Sequence, residues 1–112
     1  MRTLLLLAIP ALWAQDVDVD KWFALIQEGT FFRNRGGFAD SLTAFRKALT
    51  LAEELREREP LTLPSTYAHT GSLYLEWKRP AEALAECRKG LPLVRGTLRK
   101  ELAAVEAHLR QV

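Results

Sequence analysis

Residues 29–51 read "GTFFRNRGGFADSLTAFRKALTL", and residues 71–93 read "GSLYLEWKRPAEALAECRKGLPL". The second stretch overlays the first at a constant offset of 42, with no gap. Gly29 meets Gly71, Phe32 meets Tyr74, Ala39 meets Ala81 and Leu42 meets Leu84. Arg46-Lys47 meets Arg88-Lys89, and Leu49 and Leu51 meet Leu91 and Leu93. Small residues match too, Ser41 with Ala83 and Ala48 with Gly90, and upstream Leu25 meets Tyr67. Within the first copy, Phe38, Ser41, Leu42, Phe45, Ala48 and Leu49 recur at helical spacing. Internal similarity at a fixed period of this length points to a helical repeat protein.

Each unit divides into two helices. The first helix of unit one is expected after "DVDVD", with Asp18 or Asp20 as its N-cap, ending at Gly36-Gly37. The second runs from Phe38 to about Arg58, stopping before Pro60, with a solvated charge run and an Glu54–Arg58 pair near its end. "PLTLPS" connects to unit two, whose first helix opens at Pro64 or Ser65 and ends near Lys78. Pro80 opens the next helix, in the first turn, where a proline's missing N–H costs nothing. Pro92 predicts an end or bend near Lys89 to Leu91. "GTLRKELAAVEAHLRQV" then reads as a closing helix with Leu98, Leu102, Val105 and Leu109 on one face. The organisation is therefore unit one at 20–59, unit two at 64–92 and a closing helix at 96–111, within a domain at 18–112.

The matched small residues have a packing role. Helices of one hairpin approach closely only where bulk is absent, so Gly29 with Ser41, and Gly71 with Ala83, mark the approach. Ala48 and Gly90 are expected to admit the next helix. A glycine inside a helix costs about 1 kcal/mol relative to alanine, and its recurrence implies that packing offsets the cost. Cys87 falls on the inward position of Phe45, which predicts a buried, inert thiol.

The order bulky, small, aromatic, turn, aromatic, small, aromatic, small resembles the tetratricopeptide (TPR) repeat. In unit one it is Leu25, Gly29, Phe32, Gly36, Phe38, Ser41, Phe45 and Ala48; in unit two, Tyr67, Gly71, Tyr74, Lys78, Pro80, Ala83, Cys87 and Gly90. The resemblance covers residues 20–93, and the last helix is similar to the solvating helix that closes such arrays. The period departs from the family's usual length of about 34, and the extra residues lie in "AEELREREPLTLPS". That variant is similar to the longer-helix repeats of kinesin light chains and many bacterial TPR proteins. Glu28 and Thr70 stand where the family prefers Leu. The resemblance implies an all-α fold of two TPR hairpins plus a solvating helix, an α-solenoid.

Upstream, "MRTLLLLAIPALWAQD" has the layout of a secretory signal peptide: Arg2, an uncharged apolar run from Leu4 to Trp13, and a small residue, Ala14. The leader is placed at 1–14, and the product is expected to be exported, periplasmic or secreted. The run is too short for a membrane-spanning helix, which needs roughly 20 residues, so no stable span is expected after cleavage. No Cys follows it to carry a lipid anchor. With 16 basic residues against 14 acidic and no basic stripe, nucleic acid is not an expected partner. The lone Cys87 excludes an intramolecular disulfide.

Chemistry is sparse. His69 and His108 are the only histidines, and no His or Cys pair has metal-ligand spacing. "RGGF" lacks the Lys-Ser/Thr of a phosphate loop, and no nucleophile turn is recognisable. The reading is a non-enzyme with no cofactor. By the TPR resemblance, first helices line a concave groove that binds a protein or peptide. The matching groove positions are Phe23, Ile26, Gln27, Thr30, Arg33 and Asn34 in unit one, and Ser65, Ala68, His69, Ser72, Leu75 and Glu76 in unit two. The Lys/Asn carboxylate clamp of chaperone-binding members is missing, since Ile26 and Thr30 occupy its first positions. A rival reading for Phe23 and Ile26 is packing against Trp22 or the N-terminal apolar segment. The rival function is self-association into a homo-oligomer, with Trp13, Trp22 and Trp77 as candidate contacts.

Overall fold

The computed structural model describes the backbone of residues 2–111 and the side chains of residues 17–100 and 102–111. Four helices follow one another: α1 (Arg2–Asn34), α2 (Phe38–Leu55), α3 (Thr62–Glu76) and α4 (Pro80–Gln111). The chain is all-α. The helices pack in adjacent pairs, α1 on α2 and α3 on α4, and the two hairpins join through α2 on α3 and α1 against α3.

The turns inside the two hairpins are the same structure. In the first, Gly37 N–H donates to Phe32 O at 2.9 Å and Gly36 N–H to Arg33 O at 3.1 Å. In the second, Arg79 N–H donates to Tyr74 O at 2.8 Å and Lys78 N–H to Leu75 O at 3.1 Å. These are the paired bonds of a Schellman cap, which needs a left-handed residue to end the helix. Gly36 supplies it at φ +78°. Lys78, its repeat equivalent, adopts φ +60° despite carrying a side chain. Phe38 and Pro80 then open the following helices, as the 42-residue offset requires.

The small residues act where helices meet. Ser41 Oγ, fully buried, donates to the Gly29 carbonyl at 2.6 Å across the first hairpin. A Cβ on Gly29 would lie 2.5 Å from Phe45 Cδ1; one on Gly71 would lie 2.9 Å from Cys87 Sγ and 3.4 Å from Ala83 O. Ala48 joins Ile26, Phe45 and Leu73 in a core that knits α1, α2 and α3 together. Gly90 instead faces Pro64 and Tyr67 of α3, within its own hairpin.

Four expectations are corrected. Asp18 and Asp20 lie inside α1, so neither caps it. Asp18 Oδ2 accepts from Arg58 Nη2 at 3.0 Å, which takes Arg58 from the Glu54 pair; α2 has already ended at Leu55. Unit two opens at Thr62, two residues before Pro64, because a proline in the first turn breaks no bond that the helix would make. The closing helix at 96–111 is not separate: α4 runs through Pro92 to Gln111. Pro92, Leu93, Gly96 and Thr97 border a cleft of about 220 Å³ whose far wall includes Pro60 and Leu63. The half-buried Leu93 and Thr97 keep this segment on the body, so the chain gives up one backbone bond at Pro92 rather than turning back.

That continuation explains Cys87, which is exposed rather than buried. Its equivalent Phe45 is covered because α3 lies over it. Among the described residues no further helix lies over α4, and Leu84 and Leu91 are half-exposed for the same reason. The leader expected at 1–14, with Trp13, falls on residues whose side chains lie outside the described set. Among the described residues no helix is long and apolar enough to cross a membrane.

Candidate functional site

Two hydrogen bonds fix α3 beside α1. Trp22 Nε1 donates to Thr66 Oγ1 at 2.9 Å, and Arg33 Nη1 donates to Ser72 Oγ at 3.1 Å. Residue numbers rise together along both helices, so α1 and α3 run parallel. Buried threonines make this possible. Thr66 Oγ1 donates to Thr62 O at 2.7 Å and Thr70 Oγ1 to Thr66 O at 2.9 Å, which satisfies each hydroxyl inside the helix.

Beside this seam runs a surface of two stripes. On α1 it is Phe23, Gln27, Thr30 and Asn34; on α3, Ser65, His69, Ser72 and Glu76. Each set has spacing 4, 3, 4, the period of one helix face, and each member is separated from its counterpart by 42 residues. Phe23, Gln27, Asn34 and Glu76 are exposed; Thr30, Ser65, His69 and Ser72 are half-buried. From Phe23 to Asn34 the α1 stripe is about 16 Å long, room for about five residues of extended chain.

The remaining expected positions divide differently. Ile26 is only 5% exposed and belongs to the core, so it is not a groove residue. It lies one position off the stripe, which turns it toward Leu73 and Phe45. Phe23 stays 53% exposed, with its ring 6.5 Å from that of Trp22. Ala68 and Leu75 are exposed on α3. Arg33 is largely buried, and its Nε lies 3.8 Å from Glu76 Oε1 with no hydrogen-bond partner. A guanidinium so placed ties α1 to Ser72 of α3 and is partly neutralised by Glu76. His69 is tilted over Phe45 at a ring separation of 5.7 Å. Burial lowers its pKa below the ordinary 6.5, and the Arg33 charge lowers it further. The imidazole is therefore neutral at pH 7, with one nitrogen to donate and one to accept.

Trp22 and Trp77 are half-buried. Trp77 stacks on Tyr74 at 6.2 Å, packs near Phe38 at 5.7 Å and carries the Arg79 guanidinium 3.9 Å above its ring. It closes the end of the core, which leaves little of it for a partner. Thr66 was not singled out from sequence, since a threonine reads as polar. Its spacing of four from both Thr62 and Thr70 was the available signal.

Comparison of the chain with protein-family models, curated proteins and solved structures yields no match. Among the described residues no group of three or more His, Cys, Asp or Glu is placed to hold a metal ion.

Proposed function

We infer that this chain is a TPR-like, exported interaction module that docks a short segment of another protein along α1 and α3, with no chemical step. The observation that carries this is the register of the two stripes, 23/27/30/34 beside 65/69/72/76, on parallel helices pinned at both ends. Phe23 offers an apolar contact at one end. Gln27, Asn34, Ser65 and neutral His69 offer donors and acceptors that suit an extended peptide backbone. Arg33 and Glu76 offset one another, so the groove favours a segment without strong net charge. The N-terminal pattern of Arg2, apolar run and Ala14 supports export.

The test is an array of immobilised peptides of about five to eight residues, probed with wild-type protein and with Phe23→Ala/Asn34→Ala. Both residues are exposed, so the variant should keep wild-type stability within about 0.5 kcal/mol. Sequence-biased binding that weakens about tenfold in the variant supports the groove, the loss expected where hot-spot contacts are removed. Binding without sequence bias, or binding that the variant retains in full, contradicts it.

A further inference from the structure

The second half of α4 carries a side that no described residue of this chain covers. The 15 residues of α3 lie against the first half of the 32-residue α4, and the rest of α4 runs on for about 25 Å beyond it. On that extension Leu98, Leu102, Val105 and Leu109 are each more than half exposed. Their spacing of 4, 3, 4 is that of a coiled-coil seam. We propose that residues 98–109 pair antiparallel, about a two-fold axis, with the same segment of a second copy of this chain.

The flanking charges select that occupant and that register. With Leu98 layered on the partner's Leu109, and Leu102 on the partner's Val105, Arg99 lies beside the partner's Glu106. The two-fold axis repeats the contact, so two opposite-charge pairs form. Sliding the copies by one heptad sets Arg99 against the partner's Arg99 and brings Arg95 into the apolar layer opposite the partner's Val105. A parallel pair places Arg99 opposite the partner's Val94 and leaves its charge uncompensated. Only the first register compensates Arg99 and keeps every layer apolar. Arg99 and Glu106 are exposed and make no ion pair within this chain among the described residues.

Four layers of this size form a small interface, below about 1,200 Å² in total, the class of weak and reversible association. Sedimentation of the full chain from about 5 to 500 µM should show a monomer–dimer equilibrium in the micromolar range. Arg99→Glu should raise the dimer Kd by about tenfold, since two attractive contacts become repulsive. Glu106→Arg alone should do the same, and the double variant Arg99→Glu/Glu106→Arg should restore wild-type association. All three variants change only exposed residues, and helical circular dichroism should stay unchanged. A monomer at every concentration, whatever else it binds, overturns the pairing. So does growth beyond a dimer, a dimer indifferent to Arg99→Glu, or a double variant that fails to recover.

Discussion

Replacing Gly29 with alanine tests the close approach on which the repeat depends. The new Cβ would lie 2.5 Å from Phe45 Cδ1 and 2.8 Å from Cζ, against an ordinary carbon contact of about 3.5–4.0 Å. Phe45 has no exposed surface and packs with Ile26, Ala48 and Leu73, so its ring must shift within the core to admit the new methyl. Overpacking of this kind costs about 1–3 kcal/mol. Alanine returns about 1 kcal/mol of helix propensity. The net loss is therefore at most about 2 kcal/mol, which lowers the urea midpoint by up to about 1.3 M for a slope near 1.5 kcal/mol/M. Gly96 is the control, a helical glycine with nothing within 4 Å of its Cβ position. Gly96→Ala should raise the midpoint by about 0.7 M. Gly71→Ala should fall between the two, because its near contact is Cys87 Sγ, an exposed side chain that can rotate away. A Gly29→Ala midpoint that rises like that of Gly96→Ala would refute the approach of α1 to α2 at this point.

Two further outcomes concern the caps and the groove. Lys78→Gly should stabilise the chain by about 0.5–1 kcal/mol, read by urea denaturation, because Lys78 holds a left-handed φ that glycine adopts without strain. An unchanged or lower midpoint would contradict the cap. His69 has its folded-state pKa below the ordinary 6.5, so the unfolded chain binds the proton more readily. Its contribution to stability is therefore present above pH 6.5 and is lost as pH falls through the folded value. Stability measured from pH 7.5 down to about 5 should fall more steeply in wild type than in His69→Gln; parallel slopes would contradict the burial of this ring.

The hairpins were legible from the sequence because the 42-residue offset aligned the features that shape a hairpin: Gly29 with Gly71 at the approach, Gly36 with Lys78 at the turn. Lys78 is instructive, since its left-handed backbone is invisible in a lysine but implied by its alignment with Gly36. The seam between α1 and α3 was harder to read. Trp22 and Thr66 meet across 44 residues, and Arg33 and Ser72 across 39. These polar contacts depend on the relative rotation of two helices, which helical period alone does not specify. Ile26 shows the same limit: a rotation of one position separates the core from the stripe that carries Gln27. Pro92 misled because a proline inside a helix usually ends or bends it, whereas Leu93 and Thr97 hold α4 against the connector. Cys87 followed from that, since its inward position is buried only where another helix covers it.

The groove is tested most directly by amide chemical-shift mapping while the best-binding peptide from the array is titrated into the protein. Docking along α1 and α3 requires the largest shifts at residues 23–34 and 65–76, strongest near Phe23, Gln27, His69 and Ser72. Shifts confined to the outward faces of α2 and α4, or none at saturating peptide, would contradict it.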